Sequence, residues 1–140
     1  MILEVSKRIG RPLAEVFRFV ATDHVRNHPR WDPLMDLEQV TPGPIGVGTL
    51  IRRRHTHTGA PVQGTMEVTE FEVDRVIGFV IKDGPVEMRT RMTVEPDGEG
   101  TIVSGRIEVP GMSEPMDPTP IEASLNRMKQ LIESGDDGIA

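Results

Sequence analysis

The sequence predicts an α+β chain: one strand, two short helices, a long run of strands and a terminal helix. Three observations predict it. Val86 to Glu95 alternates strictly, with Val86, Met88, Thr90, Met92 and Val94 on one face and Glu87, Arg89, Arg91, Thr93 and Glu95 on the other. That is the pattern of a strand with one buried and one wet face. Ile121, Leu125, Met128 and Ile132 recur at helical spacing and form a stripe that must be covered. Near the start, Gly10-Arg11-Pro12 separates a strand-like segment from Leu13, Val16, Phe17 and Val20, which again recur as one side of a helix.

The elements follow in order. Ile2 to Ile9 reads as the first strand, and Pro12 is suited to the first position of a helix. Thr22-Asp23 reads as the cap of a second short helix, which Pro29 and Pro33 bracket and end around Trp31. Leu34 to Thr41 is a second strand, closed by Pro42-Gly43-Pro44. Thr49 to Thr58 and Pro61 to Val73 flank Gly59-Ala60, which reads as a hairpin turn. Arg75 to Lys82 is the next strand, Asp83-Gly84-Pro85 a turn, and Val86 to Glu95 the strand after it. Thr101 to Val109 is the last strand. A loop rich in Gly, Met and Pro then leads to the terminal helix, which starts near Pro118 to Pro120 and runs to about Glu133. The expected organisation is a single domain over 1–135 with a frayed tail at 136–140.

Composition narrows the function classes. The net charge of −6 argues against a nucleic-acid partner, which needs a basic patch. Only 4% of residues are aromatic and Tyr is absent, so base-stacking platforms are not expected. Cysteine is absent, which removes disulfides, thiolate nucleophiles and Cys-bound zinc. No apolar run approaches the roughly 20 residues that span a bilayer. The chain begins directly on strand-like Ile2 to Ser6, so no signal peptide and a cytoplasmic location are expected.

The order of several short motifs carries a resemblance. Pro12 with Val16-Phe17, Trp31-Asp32, Pro42-Gly43 followed by Gly46 and Gly48-Thr49, Thr69-Glu70-Phe71, Gly100-Thr101 and the helix Leu125 to Glu133 stand in sequence across most of the chain. In this the chain resembles the START/Bet v 1-like (SRPBCC) superfamily, and within it the bacterial polyketide cyclase/dehydrase-like proteins. The resemblance implies a helix-grip fold: a curved antiparallel sheet of six or seven strands wrapped around a long C-terminal helix, with a ligand cavity between them and two short helices after strand 1. The family often carries Pro-Pro after the Glu-Phe pair, where this chain has Glu72-Val73-Asp74, a change that alters a turn.

The hairpin yields the sharpest local expectation. A Gly59-Ala60 loop sets Ile51 opposite Val68, Arg53 opposite Met66, His55 opposite Gly64 and His57 opposite Val62, while Arg52 meets Glu67 on the wet face. Arg53 and His55 then point to the apolar side. A buried Arg needs a carboxylate or a ligand anion, so this is a candidate polar margin of a cavity. The other open reading is that Arg53, His55 and His57 snorkel into water at the strand end. Arg53 and His55 are the weak catalytic candidates.

The candidate ligand-binding set is Trp31, Ile51, Arg53, His55, Met66, Met88, Met92, Leu125 and Met128. Met suits a deformable apolar pocket, and it equally suits the core of a protein poor in aromatics. Trp31 either lines one end of the cavity or pins the short helices to the sheet. Asp32 is either a general base or a turn residue before Pro33. The pairs His55/His57 and His24/His28 lack a third ligand, and Pro29 disturbs the second, so no metal and no organic cofactor are expected. No Ser sits in a nucleophile elbow, and the Gly43 to Gly48 run lies between strands, unlike a dinucleotide loop.

Three functions remain. The first is binding of a small, mostly apolar ligand. The second is a cofactor-independent cyclase or dehydratase acting on a polyketide-like substrate, with Arg53 or His55 polarising an oxygen. The third is a protein-interaction module with a collapsed cavity. Whether any reaction is catalysed stays open; a monomer or homodimer is expected.

Overall fold

A computed structural model describes residues 1–135, and the expected frayed tail at 136–140 lies outside the described residues. The elements are β1 (Ile2–Ile9), α1 (Leu13–Phe17), a π-helical turn (Arg18–Thr22), α2 (His24–Trp31), β2 (Met35–Gln39), β3 (Leu50–His55), β4 (Val62–Glu72), β5 (Val76–Asp83), β6 (Val86–Asp97), β7 (Gly100–Glu108) and α3 (Thr119–Glu133). Seven antiparallel strands form one sheet in the order β1-β7-β6-β5-β4-β3-β2. The chain leaves β1 at one edge, crosses under the sheet through the short helices to β2 at the other edge, and meanders back to β7. This is the helix-grip architecture expected of the sequence.

Period-two alternation decides which side of the sheet is covered. Ile77, Phe79 and Ile81 of β5 pair with Met92, Thr90 and Met88 of β6 and with Phe71, Val68 and Met66 of β4, so these side chains share the concave face. Leu125, Met128 and Ile132 of α3 are buried with them, as the helical stripe requires. The C-terminal half of α3 is tied down by polar bonds. Lys129 Nζ donates to the Arg8 carbonyl at 2.8 Å, the Gly10 amide donates to Glu133 Oε2 at 2.7 Å, and Arg127 Nε donates to the Trp31 carbonyl at 2.7 Å.

Several local expectations are corrected. The β3–β4 connection is six residues, 56–61, and not the two-residue turn at Gly59-Ala60. Pro61 has no amide to offer a ladder. Thr56 to Gly59 close their own turn instead, with the Gly59 amide on the Thr56 carbonyl at 2.9 Å and Gly59 at φ +89°. The register therefore moves by two: Ile51 opposes Met66, Arg53 opposes Gly64 and His55 opposes Val62. An even shift leaves every residue on its expected face. Arg52 opposes Thr65 and finds its carboxylate in Glu38 of β2, not in Glu67.

Pro29 does not end α2 but lies inside it, and the turn continues through the Asp32 amide on the His28 carbonyl at 2.9 Å. Asp23 makes no side-chain cap bond at the start of that helix. Asp83 is the last residue of β5 and faces inward; only Gly84-Pro85 make the turn, with Gly84 at φ +59°. At the β4–β5 corner Asp74 takes φ +62°, a conformation Asp tolerates.

Candidate functional site

A polar cluster sits at one end of the concave face, built from β3, β5, the 56–61 loop and α2. Its centre is Asp83. Arg53 donates from Nε to Asp83 Oδ1 and from Nη2 to Asp83 Oδ2, each at 3.0 Å, and His55 Nε2 lies 2.9 Å from Oδ2. Arg53 keeps only 7% of its side chain exposed and Asp83 8%. Of the two open readings for Arg53 and His55, the structure takes the inward one. The carboxylate that a buried guanidinium requires comes from within the chain.

Arg53 and Asp83 are not on adjacent strands. The row across the sheet runs Leu37, Arg53, Gly64, Asp83, Val86. Gly64 stands between the partners, and its missing side chain is what lets the guanidinium pass over β4. A Cβ there would fall 2.0 Å from Asp83 Oδ1 and 2.4 Å from the Lys82 carbonyl. An isolated Gly inside a strand pattern signals such a close approach.

A second carboxylate lies nearby. Asp32 Oδ2 accepts from His57 Nε2 at 2.8 Å, and His57 is 37% exposed. His28 Nε2 stands 3.9 Å from the same oxygen. Behind it, His24 Nδ1 donates to the Val20 carbonyl at 2.7 Å, so His24 Nε2 is left to accept from His28 Nδ1 at 3.0 Å. The i,i+4 imidazole pair thus survives Pro29. Both rings are held neutral. Burial pushes His24 down to about 4, partly offset by its bond to Val20. Burial is also the main cause that takes His28 well below its ordinary value, with the charges of His24, Arg53 and His57 adding to it.

Trp31 is buried to 3% exposure, stacked on His28 and edge-on to His24. With its carbonyl bonded to Arg127 of α3, it pins α2 between the sheet and the last helix. Asp32 is bonded to a His and also caps the Leu34 amide at 3.3 Å. Ile51 and Met66 are fully covered core residues of β3 and β4. Met88 and Met92 are half-buried on the concave face of β6, and Leu125 and Met128 are buried on α3.

The concave face is covered unevenly. On β3, β4 and β5, Ile51, Val68, Ile77 and Phe79 are buried, with His24 of α2 against Phe79 and Phe17 of α1 against Phe71. On β6, β7 and β1, Val94, Val103 and Ile9 are buried at one end, whereas Met88, Met92, Ile107, Leu3 and Val5 are only half-buried and Val86 is 47% exposed. Gly105 lies between Val5 and Met92 in this row and adds no side chain. This half-buried apolar patch borders the polar cluster: Val86 stands directly across from Asp83, and Met88 across from Ile81. A separate hollow of about 380 Å³ lies among mainly outward-facing residues of β4 to β7, including Glu70, Arg89, Arg91 and Arg106. Its Glu70–Arg91 pair, bonded twice at 3.1 Å, makes it charged and unlike a seat for an apolar ligand.

Asp83 and Gly64 are the site residues that sequence reasoning missed. Asp83 sits two positions after Ile81, which sits two after Phe79 and four after Ile77. Period two alone places it on the apolar face. Among the described residues, no three His, Cys, Asp or Glu side chains are grouped to hold a metal ion, and no helix is long and apolar enough to cross a membrane.

Residues 2–133 match the family described as polyketide cyclase / dehydrase and lipid transport. The chain belongs to this family. Solved structures share its fold at low identity. Ara h 8.0201 is 14% identical, with a TM-score of 0.75 over 96% of this chain and 98% of that one. Ginseng major latex-like protein 151 from Panax ginseng is 16% identical, with a TM-score of 0.74 over 97% of each chain. DynU16, from the dynemicin biosynthetic locus, is 21% identical with a TM-score of 0.70; the match covers 96% of this chain and 48% of that one. At these identities the likeness is one of fold. No curated protein matches the sequence. The family supports a ligand-binding role, while the fold alone assigns none.

Proposed function

We propose that the protein binds a small, mostly apolar ligand non-covalently in the trough between α3 and the concave face of β1, β7 and β6. The observation that carries this is the half-buried apolar row around Gly105, made by Val5, Met92, Met88 and Ile107, beside a half of the same face that the chain seals by itself. Met88 and Met92 can repack around guests of different shape. Leu125 and Met128 back the trough from α3, Arg53 and His55 stand at its polar margin, and Trp31, Ile51 and Met66 form the packed wall behind. The segment 110–118, irregular and largely exposed, joins β7 to α3 beside the opening and serves as its entrance.

A second reading is a cofactor-independent cyclase or dehydratase. It is favoured by one observation: a buried carboxylate, Asp83, holds the His55 ring through Nε2 at 2.9 Å, as an oriented acid–base imidazole requires. The deciding test for the binding reading is titration with the neutral fluorophore N-phenyl-1-naphthylamine. Wild type is expected to bind it. Met92→Trp, which fills the space beside Gly105, is expected to lose about ten-fold or more in affinity with an unchanged circular dichroism spectrum. Equal binding by both proteins rules out the trough as the site.

A further inference from the structure

The polar margin of the trough also selects among ligands. Resting on the binding reading above, we propose that the ligand's polar end is an uncharged acceptor oxygen, a carbonyl, ester or hydroxyl, and that carboxylates are excluded. Arg53 spends its side edge on Asp83: Nε and Nη2 hold the two carboxylate oxygens at 3.0 Å each. Its remaining nitrogen, Nη1, bonds to nothing among the described residues, and no fully buried side-chain polar atom there lacks a partner. Nη1 therefore keeps a small exposure within a side chain that is 7% exposed, and can still donate. Strands lie about 4.8 Å apart, so a guanidinium drawn over Gly64 to Asp83 of β5 sits one strand from Val86 and Met88 of β6.

The charges at this end decide what Nη1 accepts. One guanidinium faces two carboxylates, Asp83 and Asp32, both more than nine-tenths buried. His57 Nε2 lies on Asp32 at 2.8 Å and His55 Nε2 on Asp83 at 2.9 Å, while burial holds His28 and His24 neutral. A ligand carboxylate would have to displace Asp83 from Arg53 or sit beside it against like charge. A neutral oxygen takes the Nη1 hydrogen and disturbs nothing.

The test displaces bound N-phenyl-1-naphthylamine from the full chain at pH 7.5 with a chain-matched series: 1-decanol, methyl decanoate and decanoate. The alcohol and the ester are expected to compete, with decanoate weaker by about ten-fold or more. Decanoate equal to or better than the alcohol overturns the proposal. Asp83→Asn frees the Arg53 charge, and is expected to strengthen decanoate relative to the alcohol by about ten-fold. A folded Asp83→Asn protein with no gain for decanoate also overturns it. Should that variant fail to fold, Arg53→Gln removes the Nη1 donor and is expected to weaken the ester and the alcohol; unchanged affinity for both rejects Nη1 as their anchor. Failure of wild type to bind the fluorophore or any of the series strikes the binding reading itself, a result distinct from loss of discrimination.

Discussion

At the scale of single residues, the molecule's main commitment is the buried Arg53–Asp83 pair. Asp83→Ala leaves a guanidinium buried without its counter-ion and is expected to cost about 3–5 kcal/mol. Replacing both partners by Met at 53 and Leu at 83 removes the charges together and should recover most of that loss. Urea unfolding of the three proteins measures it; a single variant as stable as wild type means that the pair is not sealed from water. Arg53 was legible as an inward residue because alternation is local. Its partner was not, because Asp83 is 30 residues away and reaches it across a third strand. The imidazoles of α2 make a second residue-scale prediction. His24 titrates at about 4 in the fold against 6.5 when free, and His28 is lowered too. In this window the unfolded chain binds more protons than the fold, so stability falls as pH drops from 6.5 towards 4. Each ring contributes up to about 1.4 kcal/mol per pH unit. Above 6.5 both states are neutral and the contribution vanishes. Urea unfolding at pH 7 and pH 5 should show this loss, and His28→Gln should lose less; an identical loss in the variant places the proton uptake elsewhere.

At the scale of elements, two inward glycines behave in opposite ways. Gly64 is a passage: a Cβ would strike Asp83 Oδ1 and the Lys82 backbone. Gly64→Ala is expected to cost about 2 kcal/mol or more, as an overpacked site that also breaks the ion pair. Gly105 is a vacancy, with Val5 Cγ2 at 3.9 Å as the nearest atom to an added Cβ. Gly105→Ala should be neutral or gain up to about 1 kcal/mol through reduced chain entropy. Thermal melts of the two variants check the contrast, and equal effects would mean that the two rows are equally packed. The elements themselves were readable, since Val86 to Glu95, Ile121 to Ile132 and the β1 segment each carry their period in the sequence. The β3–β4 register was not. It depends on Thr56 to Gly59 closing a turn early, an event decided by backbone bonds and by the missing amide of Pro61. The error was even-numbered, so it preserved the faces and misnamed the partners.

At the scale of the whole molecule, the chain's route divides the concave face into unequal halves. The short helices must travel from the β1 edge to the β2 edge; in crossing, α1 packs on β6 and β7, α2 packs on β2, and His24 meets Phe79 of β5. α3 is fixed at its C-terminal half to β1 and α2, so the space at its N-terminal half is left to whatever the sheet and segment 110–118 enclose. Four Phe, one Trp and no Tyr leave too few large rings to fill it. An apolar guest that completes this packing binds the folded state alone, and its free energy adds to stability by mass action. At a free concentration 100-fold above its dissociation constant, 1-decanol should add about 2.7 kcal/mol. For a chain of 140 residues that corresponds to a rise of roughly 5–10 °C in the melting midpoint. The rise must follow the logarithm of ligand concentration and must be abolished by Met92→Trp, while a generic solvent effect of the alcohol would move both proteins alike and in the opposite direction. A midpoint that stays flat across the titration would leave the trough as an unfilled seam of the fold.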